Sequence, residues 1–408
     1  MPVKELSRTR VFLGGAFLLL SLNLTPNVAD ATPLQLDPVS LSFPTPQLGY
    51  VLSLYDCATN TCAGLRSTND GASSWSVVPI PSELDKNLQL VSWDTYGSGY
   101  ATLNVHFADA QNGWIYGTVP APVTPDTSSP NWQYRLWSTH NAGKSWQQIR
   151  LDPLSLSGGV VQMATHGAWT YLFGGSNDSG SAYILATHSS ADQWVSKSNA
   201  QLEMPAGGTQ LEGAFTFAGS NGWFVAGNDR GFTASARLSK DGSWSEWSRP
   251  SIETFGASFT PIVAVTNKVL LVECQSAGFV YPPASSVPRN WNRGASWLFI
   301  SYDGGETFKP LRQLSSSYQG SYSTVPGLPA APVPGTVLLQ QATKSGSLLV
   351  RSTNWGQSWH VVLNHSVSQV VFTSHATGFA IEQRSSNQLD TWLIKTSDAG
   401  NNWGAVSF

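Results

Sequence analysis

Ser301-Tyr302-Asp303-Gly304-Gly305-Glu306-Thr307-Phe308 holds, in one octapeptide, the parts of a tight turn that ends in an anchor. The Asp303 carboxylate can accept hydrogen bonds from nearby backbone N–H groups, glycine supplies positive φ, and the hydroxyls of Ser301 and Thr307 tie down the flanks. Phe308 then tucks beneath the turn as a wedge between sheets. The run Trp297-Leu298-Phe299-Ile300 leads into it, so the octapeptide reads as the turn of a β-hairpin.

The pattern recurs along the chain. Thr139 to Trp146, Ser352 to Trp359 and Thr396 to Trp403 match closely, and Thr68 to Trp75 has its glycine one place early. Thr187 to Trp194 keeps only the ends, and the turn that opens at Ser239-Lys240-Asp241-Gly242 reaches its aromatic late, at Trp247. The turn-holding side chains are thus expected to be Asp70, Asn141, Asp241, Asp303, Asn354 and Asp398. A second signal lies upstream of the hairpin: Phe107 to Gly113-Trp114, Phe217 to Gly222-Trp223, Phe372 to Gly378-Phe379 and Phe43 to Gly49-Tyr50 each close one strand on an aromatic and open the next on Gly-aromatic. One unit is therefore a four-stranded meander. The anchors stand at Trp75, Trp146, Trp194, Trp247, Phe308, Trp359 and Trp403, spaced 44 to 71 residues apart. Four-stranded units repeated in this number predict an all-β fold, a β-propeller of seven blades, with six or eight still open. The widest spacing, before Trp146, implies an inserted hairpin near Leu88 to Ala101.

Composition agrees. Asp, Glu, Lys and Arg make up 12% of the 408 residues, about half the usual share, while Gly (37) and Trp (17) are abundant. With 22 basic against 25 acidic residues and no basic block, the footprint of a nucleic-acid binder is missing. No Gly-rich phosphate loop joins a strand to a helix, so no nucleotide cofactor is expected, and the seven His residues show no zinc spacing.

The repeated turns resemble the Asp-box, or bacterial neuraminidase repeat, of the sialidase-like propellers. Together with the Phe-to-Gly-aromatic element they are most similar to the photosystem II stability/assembly factor-like propellers. The resemblance covers nearly all of residues 32–408 and implies a propeller, without implying an activity. It also implies that the Asp residues of the turns are structural, lying on the outer turns away from the central channel. The sialidase pattern needs an Arg-Ile-Pro-type motif ahead of the first turn, and no Arg occurs between Thr32 and Arg66.

The first residues read as an address. Lys4, Arg8 and Arg10 precede the apolar run Val11 to Leu22, and Ala29-Asp30-Ala31 is a small-x-small site, so residues 1–31 are expected to be a signal peptide and 32–408 a single secreted domain with no membrane-spanning segment. In an oxidising compartment the four-residue separation of Cys57 and Cys62 admits a hairpin disulfide, while Cys274 has no evident partner.

Binding is expected on the rim opposite the repeated turns. Three long connections there, Thr118 to Trp132, Gln275 to Gly294 and Arg312 to Gly335, offer Phe279, Tyr281, Arg289, Trp291, Arg293 and Arg312 as candidate ligand-binding residues, suited to stacking on sugar rings or to an anionic partner. The expected function is an exported, monomeric, non-catalytic module that binds a protein or glycan partner; no catalytic residue and no metal site is assigned. The alternative is a glycoside hydrolase that uses paired rim carboxylates, drawn from acids such as Asp56, Glu83, Glu253 and Glu273.

Overall fold

The computed structural model describes residues 36–57, 60–90, 102–121, 131–151, 159–176, 181–197, 202–203, 211–228, 231–240, 242–247, 262–275, 296–315, 327–343, 346–385 and 390–408. The expected leader, residues 1–31, lies outside them. Over Leu36–Phe408 seven antiparallel sheets follow one another, each built from consecutive strands. Blade 1 comprises β1 (Asp37–Ser42), β2 (Gly49–Cys57), β3 (Asn60–Thr68) and β4 (Ser76–Val78), and is followed by α1 (Ser82–Leu88). Blade 2 comprises β5 (Leu103–Phe107), β6 (Gly113–Ala121), β7 (Asn131–Thr139) and β8 (Gln147–Gln148). In blade 3, β9 (Gly159–His166), β10 (Trp169–Ser176) and β11 (Ser181–His188) carry an outer strand in two pieces, β12 (Val195–Ser196) and β13 (Leu202–Glu203), both paired to β11. Blade 4 is β14 (Leu211–Ala218), β15 (Asn221–Asn228), β16 (Gly231–Leu238) and β17 (Trp244–Glu246). Blade 5 is β18 (Ile262–Ala264), β19 (Leu270–Gln275), β20 (Ser296–Ser301) and β21 (Lys309–Ser315).

Blade 6 has β22 (Val337–Thr343), β23 (Gly346–Ser352) and β24 (His360–Leu363), and its innermost strand shrinks to one bridge, Ala330 to Leu338. Pro329 and Pro332, flanking Ala330, have no N–H to give, so a ladder cannot extend from it. Blade 7 is β25 (Ser366–Phe372), β26 (Gly378–Gln383), β27 (Thr391–Thr396) and β28 (Gly404–Ala405). The result is a seven-bladed β-propeller. Its buried apolar side chains form seven clusters, one for each pair of neighbouring blades, blade 7 with blade 1 included. That closes the six- and eight-blade alternatives.

The turns work as local chemistry requires. Ser301 Oγ donates to Asp303 Oδ1 (2.7 Å) and accepts from Gly305 N (2.8 Å), while Thr307 donates to Asp303 through both N (2.9 Å) and Oγ1 (2.5 Å). Asn141 does the same with the polarity reversed at the second hydroxyl, its Nδ2 donating to Ser145 Oγ at 2.8 Å. Gly305 has φ +93°, and a Cβ there would stand 2.5 Å from the Trp247 ring of blade 4, so glycine is needed for both conformation and approach. At Gly113, a Cβ would meet the Phe107 ring at 2.4 Å, which explains why a strand ending in an aromatic is followed by one opening on glycine.

Three expectations are corrected. Asp241 lies outside the described residues, and in blade 4 the anchor is Trp244, not Trp247: like the other anchors, Trp244 packs back on the preceding blade, edge-on to Tyr171, whereas Trp247 packs forward on blade 5, against Phe308. The stretch that leads up to Leu88 is a helix with Leu84 and Leu88 buried, and most of the expected hairpin near Leu88 to Ala101 lies outside the described residues. Strands β6 and β7 stay paired as far as Ala121 and Asn131, so both ends of the connection expected from Thr118 to Trp132 belong to the ladder; residues 122–130 lie outside the described set. Arg312 belongs to β21 and pairs with Leu298, where a loop was expected.

Candidate functional site

The meander gives the ring two unlike faces. One carries the octapeptide turns, which dock on the first hairpin turn of their own blade: Ala142 N donates to Gln111 O, Gly304 N to Lys268 O and Ala399 N to Ala376 O, at 2.8–2.9 Å. The other carries the second hairpin ends and the blade-to-blade connections.

Polar side chains stitch the seams. An innermost strand would leave N–H groups bare at the channel, and at six of the seven seams a side chain of the preceding blade meets one of them. Ser40 Oγ accepts from Val105 N, Tyr116 Oη from Met163 N, Gln162 Oε1 from Phe215 N, Thr216 Oγ1 from Ala264 N, Gln340 Oε1 from Val367 N and Gln369 Oε1 from Leu41 N, all at 2.7–3.2 Å. On the turn face, cations latch the carbonyl of the next blade's turn: Arg351 Nε donates to Ala399 O (2.9 Å) and Lys395 Nζ to Gly71 O (2.7 Å). Between blades 2 and 3 the latch is Asp192, which accepts from Ser138 Oγ (2.8 Å) and lies 3.1 Å from His140 Nε2.

Electrostatics follow these roles. Side-chain and backbone hydrogen bonds from Thr307 hold Asp303 well below the usual carboxylate range, those from Ser74 do so for Asp70, and Asp398 is held down to about 2 by Asn402. Burial pushes Tyr116 up and His106 down to about 4. A carboxylate fully engaged with its own turn cannot serve as an acid or base, so these aspartates are structural in their contacts.

On the opposite face, the upper end of the seam between blades 6 and 7 carries a cluster of polar side chains. Glu382, on β26 and buried, lies 2.8 Å from His365 Nδ1 and accepts from Arg384 Nε at 2.8 Å. The Arg384 guanidinium lies over the Trp392 ring at 4.3 Å, and Trp392 Nε1 donates to Asp390. Two hydrogen bonds tie the hairpin stem: Arg384 N donates to Asp390 O, and Thr391 Oγ1 donates to Pro38 O of blade 1 at 2.8 Å. Sequence reasoning missed this cluster. The available signal was Glu382 itself, an acid inside the apolar strand Gly378-Phe379-Ala380-Ile381, with Arg384 two places on.

Of the candidate ligand residues, Phe279, Tyr281, Arg289, Trp291 and Arg293 lie outside the described residues; all belong to the connection between β19 and β20 of blade 5, whose β21 carries Arg312. The three described candidate acids stand on separate elements: Asp56 is exposed at the end of β2, Glu83 is exposed on α1, and Glu273 is buried in β19, while Glu253 lies outside the described set. Cys57 and Cys62 are joined by a disulfide at the β2–β3 hairpin end. Among the described residues no three His, Cys, Asp or Glu side chains converge as a metal site, and no helix is long and apolar enough to cross a membrane.

No family model matches the chain, and no curated protein matches it in sequence. Solved structures resemble it in fold. YCF48 bound to a D1 peptide is 17% identical, with a TM-score of 0.53 over 90% of this chain and 94% of that one. A PL25 polysaccharide lyase, an ulvan lyase, is 10% identical, with a TM-score of 0.52 over 92% and 97%. The β-propeller domain of the Trilobed protease from Pyrococcus furiosus is 7% identical, with a TM-score of 0.50 over 91% and 96%. These superpositions, at such low identity, show a shared propeller architecture and nothing beyond the fold.

Proposed function

We propose that this chain is an exported, monomeric, non-catalytic propeller of the Asp-box kind that binds a protein or glycan partner on the face opposite its octapeptide turns. The observation that carries this reading is the division of labour between the faces. On the turn face the aspartates and seam cations are spent on backbone groups, whereas on the opposite face Arg384, His365 and Trp392 stand partly exposed around a buried carboxylate. Glu382 has one oxygen on His365 and the other on Arg384, which suits a positioning role better than proton transfer. The apolar leader and the Cys57–Cys62 disulfide both support export. YCF48, seen with a bound peptide, supports a polypeptide partner by analogy.

A carbohydrate-active enzyme is the second reading, favoured by the end-to-end likeness to the ulvan lyase. One experiment separates them: secreted protein, with its N-terminus read by intact mass, is incubated with glycan and peptide panels while retention and product masses are followed together. Retention with unchanged ligand masses is expected, with a mature chain beginning at Thr32. Shortened or unsaturated glycans would establish the enzyme instead.

A further inference from the structure

We infer that the upper end of the seam between blades 6 and 7 is a subsite for an uncharged sugar ring, with Trp392 as its platform. The inference rests on the binding reading above and names the ligand class and the place. Trp392 is 40% exposed although its ring already carries the Arg384 guanidinium, so apolar ring surface is left facing water beside charged groups. A pyranose presents an apolar C–H face ringed by hydroxyls, and an indole beside fixed planar donors and acceptors complements both parts.

The polar groups are held in place. Glu382, 4% exposed, takes Arg384 through Nε and His365 through Nδ1, which leaves the Nη edge of the guanidinium and Nε2 of the imidazole without a described partner. Nε-anchored and stacked, Arg384 loses little further freedom on binding, and Asp390, fixed by Trp392 Nε1, adds an acceptor. Glu382 and Trp392 face each other on paired strands, where geometry is firmer than on a loop, and Arg384, Asp390 and His365 each lie one residue beyond a strand end.

Charge selects among ligands. Two carboxylates, Glu382 and Asp390, stand against one guanidinium, and a protonated His365 would only balance them. An acidic sugar or an anionic peptide therefore gains nothing from the local field, whereas hydroxyls can use both donors and acceptors. Trp169 is a natural control. It is similarly exposed, at 38%, and Lys197 Nζ lies 4.6 Å over its ring, but it lies at the turn-face end of β10 without a buried carboxylate beside it.

The test measures binding of cellohexaose, laminarihexaose, xylohexaose, mannohexaose and, as the acidic comparison, a hyaluronan hexasaccharide by calorimetry. The proteins are the mature chain and its Trp392→Ala, Trp392→Phe and Trp169→Ala variants, each checked for an unchanged thermal transition. At least one neutral hexasaccharide should bind the parent chain, lose tenfold or more with Trp392→Ala, keep most of its affinity with Trp392→Phe and be indifferent to Trp169→Ala. Tighter binding of the acidic sugar, no binding of any neutral sugar, or sugar binding indifferent to Trp392→Ala would each overturn the subsite. The wider reading survives those results if the parent chain still retains a glycan or a peptide, and falls if it retains neither.

Discussion

His106 shows how far a residue's role depends on neighbours distant in sequence. Its Nε2 lies 2.8 Å from Thr165 Oγ1 of blade 3, which contacts Thr170 Oγ1 at 3.0 Å, which in turn contacts Ser189 Oγ at 2.8 Å. The ring keeps some solvent contact, yet enough protein surrounds it that desolvation pushes its pKa down to about 4. An unfolded histidine titrates near about 6.5, so the unfolded chain takes up a proton that the folded chain refuses, and stability falls as pH drops from about 6.5 to about 4, with no further loss from this group below that. The turn aspartates are depressed carboxylates and act in a lower window, losing their contribution only as pH falls below about 4. Urea midpoints measured from pH 7 to pH 4 should therefore decline for the parent chain and decline less for His106→Gln, which keeps a polar group for Thr165; equal slopes would remove His106 from the account. Nothing in His106-Phe107 as sequence tells of Thr165, because a strand's alternation says which face a residue takes and not what lies across the seam. Cys57 and Cys62 are the opposite case, since a short hairpin fixes both ends locally.

At the level of elements, hairpins were legible and their exceptions were not. The octapeptide turns and the Phe-to-Gly pairs depend on contacts within a few residues, so their spelling carries their geometry. Blade 4 departs because its turn is shorter: Ser239 N donates to Ser243 O and Trp244 N to Lys197 O of blade 3, which brings Trp244 into the wedge before Trp247 is reached. Both indoles are buried, and truncating either should cost about 3–5 kcal/mol. Hydrogen exchange distinguishes them. Trp244→Ala should expose amides of β10 and β11, and Trp247→Ala those of β19 and β20; the reverse pattern would restore Trp247 as the anchor. The inner strand of blade 6 and the helix after β4 were missed for a shared reason. Each is set by what it packs on, Ala330 and Leu328 on blade 7 and Leu84 and Leu88 on the seam between blades 1 and 2.

For the whole ring, closure is the main issue, because no covalent link spans blades 7 and 1. Among the described residues blade 1 is wholly N-terminal and blade 7 wholly C-terminal, and Asp37 pairs with Leu54 inside blade 1, so no described strand is exchanged across the seam. Side chains close the ring instead. Gln369 accepts from Leu41 N and donates to Leu41 O, Lys395 holds Gly71 O, and Phe43 stacks on Phe379 at 3.8 Å. Gln369→Ala with Lys395→Ala strands three backbone groups and should lower stability by about 2–4 kcal/mol in urea unfolding. Gln162→Ala, at a seam the chain itself bridges, should cost less; equal losses would mean that the closing seam is nothing special. The sequence alone determined the blade, its repetition and the turn chemistry, because these rest on hydrogen bonds and φ angles within one octapeptide. The number seven as a closed ring, the stitching of its seams and the assembly of Glu382, His365, Arg384 and Trp392 were decided only in the tertiary structure. They join residues from different strands and blades, and their free energy arises from packing that no local pattern records.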